Sequence, residues 1–303
     1  MLVYVLLTID LGELREAVLG ARWGPLVLAA LLMVASVPLR AVRWLALLRA
    51  LDIHVPLSRL VKLYFVGTFF NIFLPTGFGG DAIRMMELSR VSKQTPEAIG
   101  TVLLDRATGL WVLFAVSLIA LPFGYTDLPS ETAVFVATVA AVGLVGGWVV
   151  MGTRFVPWLG SKVILPGQPK LERFYRAVSG CGADAAHPYV ALGQACGISL
   201  IFNLLNIVVQ FLIARGLNVD LPIGVFFSFT PILALSRMLP SIGGLGVREE
   251  TSKQMYRTVG VSGSIAVGMS LTNFLLQPVL PGLIGGVLYA IEGASELRRN
   301  KSR

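Results

Sequence analysis

Uncharged stretches long enough to cross a bilayer are the feature that most restricts how this chain can fold. A helix needs about 20 apolar residues to cross the hydrocarbon core. Four stretches without Asp, Glu, Lys or Arg meet that length, at Ala107–Thr126, Thr132–Thr153, Pro188–Ala214 and Thr258–Ile291. Trp23–Leu48 is a fifth candidate, because arginines in its second half can extend their side chains to the headgroups. The sequence therefore predicts an all-α polytopic membrane protein.

The composition agrees with a single transmembrane domain over residues 1–303. Hydrophobic residues make up 55% of the chain and charged residues 14%, compared with roughly 25% charged residues in soluble domains. The net charge is +8. Its basic residues stand in loops beside apolar stretches, which indicates contact with anionic headgroups and no nucleic-acid partner. No soluble segment is long enough for an active site, so we expect no enzyme.

The sequence also lacks the residue groupings that hold metals, cofactors or nucleotides. Its two histidines and two cysteines stand apart from one another, without a metal-ligand spacing or a Ser/His/Asp grouping. It contains no phosphate-binding P-loop. We therefore expect no metal, no cofactor, no catalytic residue and no ATP-driven pump.

Three apolar segments are too short to span a bilayer alone. Leu63–Gly80 and Leu221–Ser236 end in sequence rich in proline and glycine, which predicts broken or re-entrant helices. Met1–Ile9 has neither a basic first part nor a cleavage site, so we expect no signal peptide. We interpret it as the remnant of a first helix.

Two motifs recur in the same order, which indicates an internal repeat. Arg49-Ala-Leu-Asp-Ile-His-Val-Pro56 is followed 166 positions later by Arg215-Gly-Leu-Asn-Val-Asp-Leu-Pro222. Leu74-Pro-Thr-Gly-Phe-Gly-Gly80 is followed 165 positions later by Leu239-Pro-Ser-Ile-Gly-Gly244. Both copies therefore consist of a span, a polar turn, a short apolar segment and a break that charged residues follow.

The two repeats, about residues 26–153 and 188–291, are predicted to have opposite orientations. If the first short segment re-enters without crossing, an odd number of spans separates the copies, as in many secondary transporters. Re-entry places the basic regions Arg40–Arg106 and Arg154–Arg176 on one side, which the positive-inside rule favours. The exception is Arg237–Arg257, which falls on the other side.

The Leu-Pro to Gly-Gly segments of both repeats are predicted to break helices inside the membrane. Irregular backbone at that depth must be satisfied by protein or by water, so we expect both breaks to face one interior cavity. The residues that permit the turns are Pro75, Gly77, Gly79, Gly80, Pro240, Gly243, Gly244 and Gly246.

Charged residues follow each break and form a candidate phosphate site. Asp81 and Arg84 follow the first break, and Arg248, Glu249 and Glu250 follow the second. Amide groups at a helix start and a nearby guanidinium both donate hydrogen bonds to an anion. The alternative is a simple helix cap with surface salt bridges.

Asp105 and Arg106 are a further candidate, because an ionisable pair within a membrane helix is costly unless it faces the bundle interior. The alternative is that the span begins at Ala107 and the pair lies among the headgroups. Amide side chains also recur on one face of two spans, where they suit a hydrophilic groove or hydrogen bonds between helices. These amides are Asn203, Asn206, Gln210, Asn273 and Gln277.

Several of these motifs together resemble one family. The chain has Arg43-Trp44 near the end of a span, Asn71-Ile-Phe-Leu-Pro75 before Gly79-Gly80-Asp81-Ala82-Ile83-Arg84, and Leu103-Leu104-Asp105-Arg106. Its second half has Gly243-Gly244-Leu245-Gly246-Val247-Arg248-Glu249, the most specific of the set. The pattern covers nearly all of the chain and resembles the lysylphosphatidylglycerol synthase transmembrane-region family, which is also called flippase-like.

The resemblance implies a protein of a bacterial or archaeal cell membrane that moves lipids between leaflets. Longer members carry a cytoplasmic synthase domain, but only twelve residues follow Ile291 here, so we expect a stand-alone member with a lipid-synthesising enzyme as a possible partner. Asp105 stands where a Glu is more usual in the family. The membrane partners implied are lipids with an anionic headgroup.

The mechanism that we expect holds a lipid phosphate between the repeats. Arg84 and Arg248 would bind the phosphate, while Asp81 and Glu249 would balance their charge, bind a cationic headgroup or carry a proton. Asn71 and the amides of the spans would line the groove. Two alternatives remain at this point: a secondary transporter of a small soluble anion, and a scaffold without transport for a lipid-modifying enzyme.

Overall fold

The computed structural model describes residues 10–73, 79–92, 95–124, 129–152, 188–236 and 246–301. In these ranges every regular element is a helix. In chain order the helices are α1 (Leu11–Leu19), α2 (Trp23–Ala50), α3 (Leu57–Phe73), α4 (Gly79–Ser92), α5 (Thr95–Gly124), α6 (Ser130–Gly152), α7 (Pro188–Gly216), α8 (Ile223–Ser236), α9 (Val247–Arg257), α10 (Gly263–Phe274), a π-helical turn (Leu275–Val279) and α11 (Leu280–Lys301).

Five segments among the described residues are long and apolar enough to cross a membrane. They are α2, α5, α6, α7 and the continuous run from α10 into α11. This confirms the prediction of an all-α polytopic membrane protein. α3 and α8 have 17 and 14 residues, which is less than the ~20 that a crossing needs.

The last span is one helix that contains a π-helical turn. α10 continues into α11 through the π-helical turn Leu275–Val279, which contains Pro278. Proline has no backbone N–H to donate to the preceding turn, and an inserted π turn absorbs that loss. The long uncharged stretch Thr258–Ile291 therefore supplies a single crossing that begins at Gly263.

α3 and α4 form a tight antiparallel hairpin. The Arg84 guanidinium lies 3.8 Å from the centre of the Tyr64 ring, and the Gly80 amide donates to Asn71 Oδ1 at 2.6 Å. Between these contacts Gly67 packs on Gly80, and a Cβ on Gly80 would overlap the Gly67 carbonyl. Close approach of the two backbones therefore requires glycine here.

α8 and α9 form the corresponding hairpin of the second half. The rings of Phe229 and Tyr256 lie 5.4 Å apart between centres. Further along α8, Leu233 shares a small cavity with Arg248 and Ser252 near the start of α9. The contact order is therefore antiparallel, as it is between α3 and α4.

Three of the residues predicted to break the helices lie at the helix starts that follow the turns of these hairpins. Gly79 and Gly80 begin α4, and Gly246 precedes α9 with a φ of 93°, a conformation that favours glycine. Five of the predicted residues lie outside the described ranges: Pro75, Gly77, Pro240, Gly243 and Gly244.

Two close helix contacts hold the bundle together around these hairpins. α2 runs antiparallel to α7, because the Arg22 amide donates to the Gly216 carbonyl at 2.8 Å while Arg43 Nη1 donates to Ser199 Oγ at 3.0 Å. α11 packs on α3, where a Cβ on Gly285 would overlap the Phe65 carbonyl. Small residues at such crossings let membrane helices approach closely.

Candidate functional site

Asp105 lies at the centre of a buried charged cluster. It is 1% exposed, on α5, and accepts hydrogen bonds from three side chains of three other helices. Arg43 Nε donates to Oδ1 at 2.7 Å, while Arg84 Nη2 at 3.0 Å and the Tyr64 hydroxyl donate to Oδ2. Arg43 also donates to Ser199 on α7. The carboxylate thus links four helices directly through charge-assisted bonds and a fifth, α7, through Arg43.

Arg84 is enclosed by aromatic rings as well as carboxylates. Its guanidinium carbon lies 4.2 Å from the Trp44 ring centre and 3.8 Å from that of Tyr64, within the range of a cation–π contact. Arg84 Nη1 donates to Asp81 Oδ1 at 3.1 Å. Asp81 in turn accepts from Arg106. The chain of ion pairs therefore continues from the buried Asp105 to the partly exposed Arg106.

A fourth arginine lies beside this cluster without a carboxylate. The Arg40 guanidinium lies 5.3 Å from the ring centre of Tyr64 and 5.4 Å from that of Phe202. Its buried Nε has no hydrogen-bond partner among the described residues, and neither has Arg84 Nε. We call the whole group the Asp105 cluster: Arg40, Arg43, Tyr64, Asp81, Arg84, Asp105 and Arg106.

Arg40 adds a positive charge to the Asp105 cluster that no carboxylate among the described residues pairs with. Within the described part of the chain the four guanidiniums of the cluster face two carboxylates. Uncompensated charge inside a membrane protein is costly, and ionisable groups there usually serve substrates or ions. The arrangement can therefore accept an anion that offers several oxygen acceptors, as a phosphate does.

Arg248 belongs to a second buried cluster, in which Glu249 and Ser270 bind its guanidinium. Arg248 and Glu249 are 3% and 0% exposed, and Arg248 Nη2 donates to Glu249 Oε1. Arg248 Nε donates to Ser270 Oγ at 3.0 Å, and the Gly246 amide donates to Glu249 Oε2 at 2.5 Å. Glu249 thus caps α9, but it does so inside the bundle and not at the surface.

A cavity of about 10 Å³ lies beside Arg248, which is the least volume that holds one water. Gln210 and Asn273 line it. Gln210 Nε2 and Asn273 Oδ1 are buried, and neither has a hydrogen-bond partner in the described ranges. A single water fits both atoms, whereas a lipid headgroup does not fit in this conformation.

A row of polar side chains on α7 connects the two clusters. Its members recur at every helical turn on one buried face. Because a helix rises 1.5 Å per residue, the row extends for about 16 Å. We call it the α7 row: Ser199, Asn203, Asn206 and Gln210.

Each member of the α7 row contacts a different helix. Ser199 accepts from Arg43 of the Asp105 cluster, and Gln210 shares the small cavity with Arg248. Between them, Asn203 Nδ2 donates to the Gly109 carbonyl at 3.0 Å. Asn206 Oδ1 accepts from Gln277 Nε2 at 3.2 Å. The row therefore places one polar side chain at each turn of α7 between the two arginine clusters.

The structure brings together some of the residues that the sequence predicts and separates others. Asp81, Arg84, Asp105 and Arg106 lie in one cluster, and Arg248 and Glu249 lie in the other. No described ion pair joins the two. Asn71 accepts from the α4 backbone at the hairpin and is not a member of either cluster.

Sequence reasoning missed the role of α2. It predicted that the arginines of this span extend to the headgroups, which is wrong for Arg43, because Arg43 is 5% exposed and bonds to Asp105. Tyr64 and Ser199 were not predicted either. The available signal was the position of Arg40 and Arg43 one helical turn apart, well inside an apolar helix, where charge marks a functional site.

Comparison with known proteins agrees with this architecture. The sequence model of the family described as lysylphosphatidylglycerol synthase TM region matches residues 1–285. The chain is also similar to the UPF0104 membrane protein PH1989 of Pyrococcus horikoshii, with 22% identity over 292 residues, 87% of this chain and 85% of the relative. The resemblance of the motifs is thereby confirmed, and the chain belongs to the lysylphosphatidylglycerol synthase TM region family of membrane proteins.

Proposed function

We propose that this protein moves a lipid with an anionic headgroup between leaflets and is not itself an enzyme. The observation that carries the proposal is Arg40 of the Asp105 cluster, whose guanidinium has no ion pair among the described residues. Arg40 Nε and Arg84 Nε lack partners among the described residues, and a phosphate offers acceptors to both. A phosphate held there avoids the cost of burying a bare anion in hydrocarbon.

The α7 row supports movement of the headgroup away from the Asp105 cluster. Each step along the row is about one helical turn, or ~5.4 Å, so hydroxyl and amide groups succeed one another between Arg43 and Arg248. Arg248 would receive the phosphate by exchanging Glu249 for it, and the small cavity beside Arg248 would have to widen. The acyl or isoprenoid chains would remain in the surrounding bilayer.

The helix contacts support an inverted repeat, which is part of the proposal. The 166-residue shift makes α2 equivalent to α7, and these helices run antiparallel. About an axis normal to the membrane, equivalent helices would run parallel, so the antiparallel pair favours an axis in the membrane plane. The other contacts agree, because α3 packs on α11 and its equivalent α8 packs on α5.

The hairpins α3–α4 and α8–α9 are re-entrant in this proposal. α3 and α8 are too short to cross, and each is followed by a helix that returns antiparallel to it. The three long helices α5, α6 and α7 then lie between the equivalent positions Arg49 and Arg215, and this odd number of crossings agrees with opposite orientations. The cell membrane of a bacterium or archaeon is the proposed location, and a lipid-synthesising enzyme is the proposed partner.

Arg40 offers the sharpest test of the proposal. Arg40→Gln removes one excess charge without breaking an ion pair in the described structure. Arg49→Gln is the matched control, because it removes the same charge from an exposed position on the same helix. The assay reconstitutes each variant in liposomes and follows the transbilayer movement of headgroup-labelled phosphatidylglycerol.

We expect Arg40→Gln to slow lipid movement roughly tenfold, as the loss of one charge-assisted contact predicts, and Arg49→Gln to leave it unchanged. Equal rates for the two variants would remove Arg40 from the mechanism. Uptake of a soluble anion by wild type without lipid movement would support the soluble-anion transporter instead. If wild type moves neither lipid nor a soluble anion, the result would support the scaffold without transport.

A further inference from the structure

A groove of about 380 Å³ lies between α3, α4 and α11. Arg59, Lys62 and Arg90 line one end, and Val66, Phe70 and Ile83 line the other. None of these residues belongs to either arginine cluster. The groove therefore lies on the other face of the α3–α4 hairpin from Asp105.

All three helices change from polar to apolar in the same direction along this groove. On α3 the lining proceeds from Arg59 and Lys62 to Val66 and Phe70. On α4, which runs antiparallel, Arg90 lies at the polar end. α11 contributes Glu292 to that end and Tyr289 nearer the apolar one, and the Tyr289 ring contacts that of Phe70 at 5.4 Å. A lipid has this same gradient from headgroup to chain.

The length of the groove matches one leaflet. Arg59 and Phe70 are separated by eleven helical positions, or about 16 Å along α3. Half of a hydrocarbon core of about 30 Å is ~15 Å. Met86 and Tyr289 on the groove wall are exposed, so the groove is open towards the side, where lipids lie.

Among the described residues, the polar end of the groove has one positive charge without an ion pair. Lys62 Nζ bonds to Glu292 Oε2 at 2.6 Å, and Arg90 Nη1 bonds to Glu87 Oε1 at 2.8 Å. Arg59 has no ion pair within the described ranges. The two carboxylates therefore leave one guanidinium for an anion, next to the donors of Lys62.

From these features we infer that the groove binds an anionic glycerophospholipid of one leaflet. Arg59 and Lys62 contact its phosphate, and one acyl chain packs against Val66, Phe70 and Ile83. The inference rests on the proposed function, in which this lipid is the one that is loaded. Ile83 faces the groove while the next residue, Arg84, faces the Asp105 cluster, so α4 alone separates the loading groove from the buried site.

The experiment measures lipid binding and not transport, so that a failure of the groove inference can be distinguished from a failure of the proposed lipid movement. Native mass spectrometry of the detergent-solubilised protein counts bound phosphatidylglycerol and phosphatidylcholine at matched concentrations. Arg59→Gln tests the headgroup contact, with the exposed Arg49→Gln as control. Met86→Trp fills the groove, with Val142→Trp at an exposed position of α6 as control. Inorganic phosphate is added as a competitor to distinguish a lipid site from a soluble-anion site.

We expect wild type to prefer phosphatidylglycerol and Arg59→Gln to lose that preference roughly two- to fivefold, as a partly exposed ion pair allows. Met86→Trp should reduce binding of both lipids, and neither control should change it. Three results would overturn the inference. They are equal binding of the two lipids by wild type, an equal loss of the lipid preference in Arg49→Gln, and displacement of bound phosphatidylglycerol by inorganic phosphate as effectively as by lipid. If Arg40→Gln loses transport but binds lipid as wild type does, the result supports lipid binding in the groove independently of the transport mechanism.

Discussion

Asp105→Asn should destabilise the protein strongly, because among the described residues this carboxylate is the only acceptor that Arg43 and Arg84 share. The substitution keeps the shape of the side chain but removes the charge, and its new amide group points hydrogen atoms at donors. Breaking a buried ion pair by removing one partner costs about 3–5 kcal/mol. For a chain of this size such a loss lowers the melting temperature by on the order of 10 °C.

The measurement is thermal unfolding in detergent, followed by tryptophan fluorescence at a fixed scan rate. Asp220→Asn is the matched control, because Asp220 is an exposed aspartate paired with Arg215 at the surface, and surface pairs contribute ~0–1 kcal/mol. We expect the control to unfold close to wild type. A melting temperature of Asp105→Asn equal to that of the control would refute the role of Asp105 in linking four helices.

Two further predictions concern packing and the polar path. Gly285→Ala should lower the free energy of unfolding by about 1–3 kcal/mol, since its Cβ would overlap the Phe65 backbone. Gly197→Ala is the control: it has open space around it and should leave the free energy of unfolding equal or raise it by up to ~1 kcal/mol. Equal melting temperatures of the two variants would contradict the close contact of α11 with α3. Asn206→Leu should slow lipid movement while phosphatidylglycerol binding persists, and unchanged movement would remove the α7 row from the path.

Much of the fold could be predicted from the sequence, because membrane spans depend on length and polarity alone. The uncharged stretches predicted α5, α6, α7 and the last span, and the short apolar segments became the hairpins α3–α4 and α8–α9. The sequence could not predict whether the helix continues through Pro278 or ends there, since the outcome depends on whether the neighbouring turn rearranges into a π turn.

The candidate site was predictable only in part. Asp105 was recognised because an ionisable group within a membrane helix is costly, and Arg84 because it follows a glycine break at a helix start. Their pairing through Oδ2 of Asp105 depends on the crossing of α4 and α5, which no local pattern encodes. For Glu249 the sequence left open a role at the phosphate site and a simple helix cap, because which of the two a carboxylate adopts depends on the path of the preceding backbone.

The most direct test of lipid movement uses headgroup-labelled phosphatidylglycerol in proteoliposomes with a quencher outside. Label that becomes accessible during the assay has crossed the bilayer. Wild type should exceed empty liposomes. Arg84→Ala and Arg248→Ala should fall towards the empty level, with Arg84→Lys between them because lysine keeps the charge but loses the two-pronged contact. Wild-type rates in a folded Arg84→Ala/Arg248→Ala double variant would contradict the account.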